Sequence, residues 1–153
     1  MWVLVHDGAR PFCDVALIGR VLEVLKAAPG HLSPAVAGVV PVLPLADTVR
    51  QREGTESQVV PREGLLAVQT PQGFDFTALL LAHERARQAT FLGTDDAQLL
   101  EEAGMPLAFT EGDVWNFKIT TARDLDLARR IAACPTAEVS ARTDHPDSMR
   151  HKA

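Results

Sequence analysis

A carboxylate and a guanidinium lie three residues apart in the polar segment from His6 to Pro11, as Asp7 and Arg10. A carboxylate can bind a divalent cation, and an arginine can bind a phosphate. The segment follows the apolar run Val3 to Val5, which predicts a buried strand. Ligands of α/β sheets bind beyond the carboxyl ends of the strands. A lone aspartate in this place is more often a loop or helix-capping group, so the residue types alone leave both interpretations open.

Three further polar clusters contain side chains suited to phosphate. They are Asp47 and Thr48 with Arg62, the segment Gly93 to Asp96 around Thr94, and the segment Glu111 to Thr120 around Lys118. The first two also have ordinary structural explanations, a solvated charged arm and a helix cap. The lysine of the third stands between two apolar residues, and its ammonium either extends to water or meets an anion. No single cluster decides a function.

Composition narrows the classes of protein. The 153 residues are 46% hydrophobic and 23% charged, which is typical of one soluble globular domain. A net charge of -5 disfavours a protein that binds nucleic acid through bulk positive charge. The N-terminal residues resemble neither a signal peptide nor a membrane span, so we expect no membrane partner. Cys13 and Cys134 fit neither a disulfide framework nor a metal pattern, which favours a cytoplasmic protein.

Strand and helix signals alternate along the chain. Asp14 can cap a helix that continues through Leu25 and ends at Pro29 and Gly30, and the apolar run Ala35 to Val42 predicts a second buried strand. Further helices are predicted near 76–83, 95–103 and 121–132, and a further strand near 107–109. This alternation predicts an α/β domain over residues 1–134 with a Rossmann-like, mostly parallel sheet.

One segment departs from that alternation. Two short alternating runs, Thr48 to Arg50 and Gln58 to Val60, flank a polar turn that contains Gly54. This pattern predicts a protruding hairpin, or arm, at about residues 46–68. An isolated hairpin is only marginally stable in water, so we expect the arm to pack against a partner. Residues 135–153 are polar and unpatterned, which predicts a mobile tail or linker.

The order of the motifs resembles that of a known enzyme family. His-Asp-x-Ala-Arg-Pro, Asp-Thr, Arg-x-Gly-Leu, Gln-Thr-Pro-Gln, Thr-Asp-Asp and Glu-Gly-x-x-x-Asn-x-Lys-Ile-Thr follow one another as in the 2-C-methyl-D-erythritol 4-phosphate cytidylyltransferase family. The chain resembles that family from Trp2 to about Ala132. The resemblance implies a nucleotidyltransferase that transfers a cytidylyl group from CTP to methylerythritol phosphate, with Mg²⁺, in non-mevalonate isoprenoid synthesis. The pentitol-phosphate cytidylyltransferases, such as the ribitol 5-phosphate enzyme, share much of the motif set and remain the alternative.

The resemblance also implies roles for individual residues. Asp7 would contact Mg²⁺ and the nucleotide phosphates, with Arg10 in the adjacent substrate site. Thr94 would contact methylerythritol phosphate, while Arg62 and Lys118 would position its phosphate for attack. Asp47 and Thr48 would bind substrate from the arm, which in the family crosses to the neighbouring subunit. A homodimer is therefore implied.

The family opens with a strand and a glycine-rich loop that holds the triphosphate, and nothing in this sequence matches that loop. We therefore expect the chain to be N-terminally truncated, to fold poorly and to lack cytidylyltransferase activity. A non-catalytic remnant that dimerises with an intact copy is a further possibility. Because some members are fused to the cyclodiphosphate synthase of the same pathway, a second domain could follow the tail.

Overall fold

The computed structural model describes residues 1–27 and 36–134. They belong to two units, residues 1–117 and the residues from Lys118 onward, and each unit is described by itself. The predicted tail at 135–153 and the predicted helix end at Pro29 and Gly30 lie outside the described residues. Within the described ranges, no helix has the length and apolar character needed to cross a bilayer.

Strands and helices alternate in the first unit as the sequence predicts. Its elements are β1 (Trp2–Val5), α1 (Val15–Ala27), β2 (Gly38–Pro44), β3 (Val49–Glu53), β4 (Glu56–Val60), β5 (Leu66–Val68), β6 (Gln72–Asp75), α2 (Phe76–Ala89), α3 (Asp96–Glu102) and β7 (Leu107–Glu111). The second unit contains α4 (Ala122–Ala133). The predicted α/β class is confirmed.

The main sheet is mixed rather than mostly parallel. On one edge β2 pairs in parallel with β7, and on the other it pairs antiparallel with β6 and then with β5. β1 pairs antiparallel with β6, so β1, β2 and β7 run in one direction and β5 and β6 run against them. The reason lies in the connections. A parallel neighbour requires a crossover, usually a helix, whereas β2 reaches β5 through a hairpin and β5 continues into β6.

A short break separates β5 from β6 along the edge of β2. Leu43 pairs with Ala67, and Val39 pairs with Gly73. Pro41 lies opposite the break, where the Gln69 N–H donates to the Pro41 carbonyl over 2.8 Å. Proline has no N–H to offer a ladder and is tolerated in a sheet at such irregular places. Pro41 is therefore accommodated in the central strand, where it is buried.

The core lies on both faces of this sheet. One cluster is centred on Phe74 and Leu100, and the other joins Val21 and Leu25 of α1 to Val39 of β2. Two glycines allow the elements to meet closely. A Cβ atom on Gly73 would lie 2.6 Å from Val21 Cγ1, and one on Gly38 would lie 2.6 Å from the Phe74 ring. Helix α1 and the Phe74 ring therefore pack directly against backbone.

The buried face of α2 differs from the predicted one. Helical spacing of the apolar residues predicts a face made of Phe76, Leu79, Leu80 and His83. Instead, Ala82 and Ala86 are buried, while Phe76, Leu80 and His83 are exposed. Small alanine side chains let the helix approach its neighbours closely, and hydropathy alone does not register that advantage.

The arm is present as a hairpin. β3 and β4 pair antiparallel as a two-stranded sheet, and Gly54 takes a positive φ of 61° in the turn between them. Leu66–Val68, which the sequence placed inside the arm, pairs with β2 in the main sheet. The hairpin proper therefore spans 49–60, and almost all of its residues are exposed.

The pattern from Thr121 to Asp124 predicts a capping box, and helix α4 of the second unit begins with it. The Thr121 hydroxyl accepts the Asp124 N–H, and the Asp124 carboxylate accepts the N–H groups of Thr121 and Thr120. These hydrogen bonds, together with one from the Thr120 hydroxyl, hold the pKa of Asp124 below its ordinary value. The capping carboxylate is therefore stabilised in its charged form.

We expect this carboxylate to make the stability of α4 depend on pH in the acidic range. A group with a lowered folded-state pKa contributes stability that is complete above its unfolded pKa and is lost as the pH falls through the lowered value. Between about pH 5 and pH 2, the melting temperature of the wild type should therefore fall further than that of Asp124→Asn. Asp126→Asn, whose carboxylate faces Arg129 at 3.4 Å, is the control and should behave as the wild type. Equal losses in wild type and Asp124→Asn would contradict the prediction.

Candidate functional site

The loop after β1 is closed by its own hydrogen bonds. Asp7 Oδ1 accepts the Ala9 N–H at 2.9 Å, and the Asp7 carbonyl accepts the Arg10 N–H at 2.9 Å. His6 Nε2 bonds to the Arg10 carbonyl at 3.0 Å, which joins the two ends of the loop. The Asp7 carboxylate is thus held in one orientation at the carboxyl end of the strand, where the sequence predicted it.

Thr70 anchors this loop to the break between β5 and β6. Its Oγ1 accepts the Asp7 N–H at 3.0 Å and lies 3.0 Å from His6 Nδ1. Because the Arg10 carbonyl can only accept, His6 Nε2 must carry the hydrogen of that bond. In the neutral ring Nδ1 is then an acceptor, and it takes the Thr70 hydroxyl hydrogen. The hydrogen bonds therefore run in one direction, from Asp7 through Thr70 and His6 to Arg10.

Arg10 joins this loop to two other segments. Its Nη1 donates to the Asn116 carbonyl at 2.7 Å, and its Nη2 donates to the Val68 carbonyl at 3.3 Å. Burial lowers the pKa of Arg10, while the neighbouring Asp7 charge raises it. An arginine remains protonated under such conditions, so the guanidinium keeps its charge and its fixed fork of donors.

Two buried amides complete the network. Gln69 accepts the Asp113 N–H at 2.9 Å and donates to the Asp113 carbonyl at 2.8 Å, as a neighbouring strand would. Asn116 Nδ2 donates to the Thr70 carbonyl at 2.7 Å. Gly112 makes room for this arrangement, because a Cβ there would lie 2.6 Å from Gln69 Oε1. The ends of β1, β5 and β7 are thereby fixed to one another.

Thr94 lies just before α3, next to the capping residue Asp95. Its N–H and hydroxyl both donate to Gln98 Oε1, at 2.6 Å and 3.2 Å. The adjacent Asp95 caps α3 and also accepts the Gln72 amide of β6 at 2.7 Å. Buried Gln72 therefore ties the Thr94 segment to the strand that follows Thr70.

The predicted arm residues lie at the base of the hairpin. Asp47 and Thr48 precede β3 and are exposed, and Arg62 follows β4 and donates to the Ala46 carbonyl, which closes the base. Lys118 belongs to the second unit and is exposed. Of the predicted residues, the structure thus brings Asp7 and Arg10 into one hydrogen-bonded network.

The sequence predicts no role for four residues of this network. They are His6, Gln69, Thr70 and Asn116, and each stands inside one of the family motifs. The signal that could have found them was their polarity. Gln69 directly follows β5, Asn116 lies in the loop after β7, and both are buried. A buried amide requires hydrogen-bond partners and so marks a place where segments meet.

The chemistry of the donors limits the metal that this site could take. Among residues 1–27 and 36–134, no three His, Cys, Asp or Glu side chains lie close enough to hold an ion. Mg²⁺ is usually held by one or two carboxylates together with substrate phosphates. The fixed Asp7 carboxylate therefore fits a Mg²⁺ ion shared with a phosphorylated ligand, and it does not fit a cage made only of protein.

An open cleft of about 490 Å³ lies beside the loop. It is lined by Leu4, His6, Gly8, Arg10, Pro11, Cys13, Ile18 and Pro71. Burial is the main cause that raises the pKa of Cys13, and the charges of Asp14 and Asp113 raise it further. The thiol on the cleft wall is therefore held in its neutral form.

We expect Cys13 to react slowly with iodoacetamide. The thiolate is the reactive form, and a raised pKa reduces its fraction at neutral pH. Cys134 is exposed, so mass spectrometry of peptides over time should show Cys134 alkylated several-fold faster than the half-buried Cys13. In urea the two rates should converge. Equal rates in the folded protein would show that the thiol of Cys13 is not protected.

Comparisons with known proteins agree with these motifs. The model of the 2-C-methyl-D-erythritol 4-phosphate cytidylyltransferase family (IspD) matches residues 1–133. The bifunctional enzyme IspD/IspF of Nitratidesulfovibrio vulgaris is 52% identical over 124 residues, which cover 80% of this chain and 30% of that enzyme. The 2-C-methyl-D-erythritol 4-phosphate cytidylyltransferase of Thermus thermophilus is 48% identical over 132 residues, which cover 85% of this chain and 58% of that protein.

A solved structure agrees as well. The crystal structure of 2-C-methyl-D-erythritol 4-phosphate cytidylyltransferase from Thermus thermophilus matches with a TM-score of 0.77 at 44% identity, over 87% of this chain and 62% of that chain. The chain thus spans between 30% and 62% of the length of these relatives.

Proposed function

This chain belongs to the 2-C-methyl-D-erythritol 4-phosphate cytidylyltransferase family, and we propose that it serves the transfer of a cytidylyl group from CTP to methylerythritol phosphate. The observation that carries the proposal is the loop from His6 to Arg10, which holds a carboxylate rigidly at the end of a strand through Thr70. Such a fixed anionic group beside a cleft suits a nucleotide–magnesium complex.

The reaction exchanges one phosphorus–oxygen bond for another. An oxygen of the methylerythritol phosphate group bonds to the α-phosphorus of CTP, and the bond between that phosphorus and the bridging oxygen of the β-phosphate breaks. The electron pair leaves with pyrophosphate. A proton-abstracting residue is not required, because the attacking phosphate oxygen is already anionic. Catalysis then depends on positioning and on stabilising negative charge.

We assign the nucleotide side of the reaction to Asp7. Mg²⁺, when bound, would neutralise charge on the triphosphate, and Asp7 would hold it. Arg10 holds the loop through the carbonyls of Asn116 and Val68, which keeps the Asp7 carboxylate in place. We assign the Arg10 guanidinium to the adjacent acceptor site, so that one loop serves both substrates.

We assign the acceptor side to Thr94, Arg62 and Lys118. A threonine hydroxyl can donate to a phosphate or sugar oxygen, and the two cations can bind the acceptor phosphate. Asp47 and Thr48 would complete substrate binding from the base of the hairpin. The exposure of these five side chains supports the assignment, because each can reach a ligand.

The arm supports a proposal of a homodimer. β3 and β4 expose nearly all their residues and pair only with each other among the described strands. A two-stranded ribbon of this kind gains stability when it packs against a partner. The match to a bifunctional IspD/IspF enzyme supports a proposed fusion to a second domain. Separately, we propose a cytoplasmic location for the protein.

Calorimetric titration of the chain with methylerythritol phosphate tests the acceptor. We expect binding that is at least about tenfold tighter than for ribitol 5-phosphate, the substrate of the alternative function. Arg62→Gln should weaken binding of the phosphate, and Arg85→Gln on α2 is the matched control. Tighter binding of ribitol 5-phosphate would favour the alternative, and absence of binding to either compound would contradict both.

Pyrophosphate release with CTP, methylerythritol phosphate and Mg²⁺ tests the remaining expectation, that the 153-residue chain alone does not turn over. No release is expected. Measured turnover would contradict that expectation and leave the proposed substrate class intact.

A further inference from the structure

Asn116 occupies the point at which the three segments of the candidate site meet. It is fully buried, with 0% of its surface exposed. Its side chain donates to the Thr70 carbonyl at 2.7 Å, and its own carbonyl accepts Arg10 Nη1 at 2.7 Å. One residue therefore contacts both the segment that anchors Asp7 and the arginine that closes the Asp7 loop.

A space-filling role does not account for this side chain. Asn116 Oδ1 and Arg10 Nε are both buried, and neither has a hydrogen-bond partner among the described residues. A buried polar atom without a partner lowers stability, so an apolar side chain of the same size would fill the space at less cost. The amide is therefore better explained by the one hydrogen bond that it donates than by packing.

That hydrogen bond connects Asn116, through Thr70, to the candidate metal-binding residue Asp7. Asn116 fixes the Thr70 carbonyl, and the hydroxyl of the same Thr70 accepts the Asp7 N–H at 3.0 Å. A shift of the Thr70 backbone would therefore move the point to which the Asp7 loop is attached. Gln69, the residue before Thr70, donates its side-chain amide to the Asp113 carbonyl. The loop after β7 therefore restrains both Gln69 and the Thr70 carbonyl.

We infer that Asn116 is a positioning residue, which sets the place of the Asp7–Arg10 loop through Thr70. Because Arg10 is assigned to the acceptor site, the same residue sets the affinity for the phosphorylated acceptor. This inference rests on the proposed function, because the acceptor is the one proposed there. Asn116 itself touches neither the substrate nor the reacting atoms in this assignment, and its effect is transmitted through two neighbouring segments.

The test compares Asn116→Leu with wild type in two measurements. Leucine keeps the size of the side chain and removes the donor to Thr70. In titrations with methylerythritol phosphate, we expect the dissociation constant to rise at least about tenfold. In NMR spectra of the full chain, the Arg10 Nε–H resonance should exchange slowly in wild type, because the atom is buried, and should shift and exchange faster in Asn116→Leu.

Ala86→Gly on α2 is the control. It should lower the melting temperature through the helix without altering the Arg10 resonance or the dissociation constant, because Ala86 lies in the core cluster around Phe74 and Leu100 and takes no part in the hydrogen bonds of Asn116. Asn116→Asp, which keeps the shape and replaces the donor by an oxygen, should resemble Asn116→Leu. An unchanged Arg10 resonance in both variants overturns the inference, whatever the ligand does. Absence of acceptor binding by the wild type contradicts the proposed function instead, and the resonance still decides the positioning role.

Discussion

Phe74→Ala should lower the free energy of unfolding by about 3 to 5 kcal/mol, the usual cost of removing a buried aromatic ring. Phe74 has no exposed surface and lies at the centre of the larger core cluster. The ring packs against Gly38 of β2, which has no side chain that could turn into the space left by the ring. The cavity would therefore collapse little, which places the expected loss towards the upper end of that range.

Phe76 provides a matched control two residues along the chain. It is 42% exposed at the first turn of α2. Phe76→Ala should cost about 1 kcal/mol or less, as expected for a partly exposed site. Urea denaturation followed by circular dichroism measures both losses. Similar losses for the two variants would show that Phe74 does not hold the core together.

The contrast between these two phenylalanines shows what the sequence could not settle. Both stand in the segment that runs from β6 into α2, and hydropathy alone places Phe76 on the buried face of the helix. The sequence analysis does not predict strand β6, because Gly73 and Asp75 have low strand propensity. The structure makes that strand from tertiary contacts, since Gln72 finds a partner in Asp95 and Gly73 allows α1 to pack closely.

Local signals were sufficient where a few neighbouring residues determine the structure. The caps formed by Asp14 and Thr121 and the hairpin turn at Gly54 are confirmed, because each depends on residues within one turn. The direction of the strands was less accessible, because it depends on how β2 connects to β5 through the arm.

The candidate site shows the same difference between features set by neighbouring residues and features set by distant ones. Asp7 and Arg10 could be found from their types and spacing, and the structure joins them in one network. The partners of that network could not be found in this way, because Thr70 lies 63 residues and Asn116 lies 106 residues from the groups that they hold. The roles of Asp47, Thr48, Arg62, Thr94 and Lys118 stay predictions.

Arg10→Met should lower the free energy of unfolding by about 1.5 to 3 kcal/mol, the usual net contribution of a hydrogen bond to a charged group. Methionine keeps most of the apolar stem and leaves the carbonyls of Asn116 and Val68 without their donor. Arg10→Lys keeps the charge, yet an ammonium is a point donor and cannot reproduce the planar fork. Lysine should therefore recover only part of the loss.

The two Arg10 variants separate charge from geometry at the candidate site. Because the Arg10 backbone closes the loop that holds Asp7, loosening the guanidinium should also weaken binding of methylerythritol phosphate, in the lysine variant as well. Arg85→Met is the control, since Arg85 donates to the Ala103 carbonyl on the exposed side of α2 and should change stability by about 1 kcal/mol or less. Full recovery of stability and acceptor binding in Arg10→Lys would mean that the site requires only a positive charge, and that the two carbonyl contacts of Arg10 do not position the Asp7 loop.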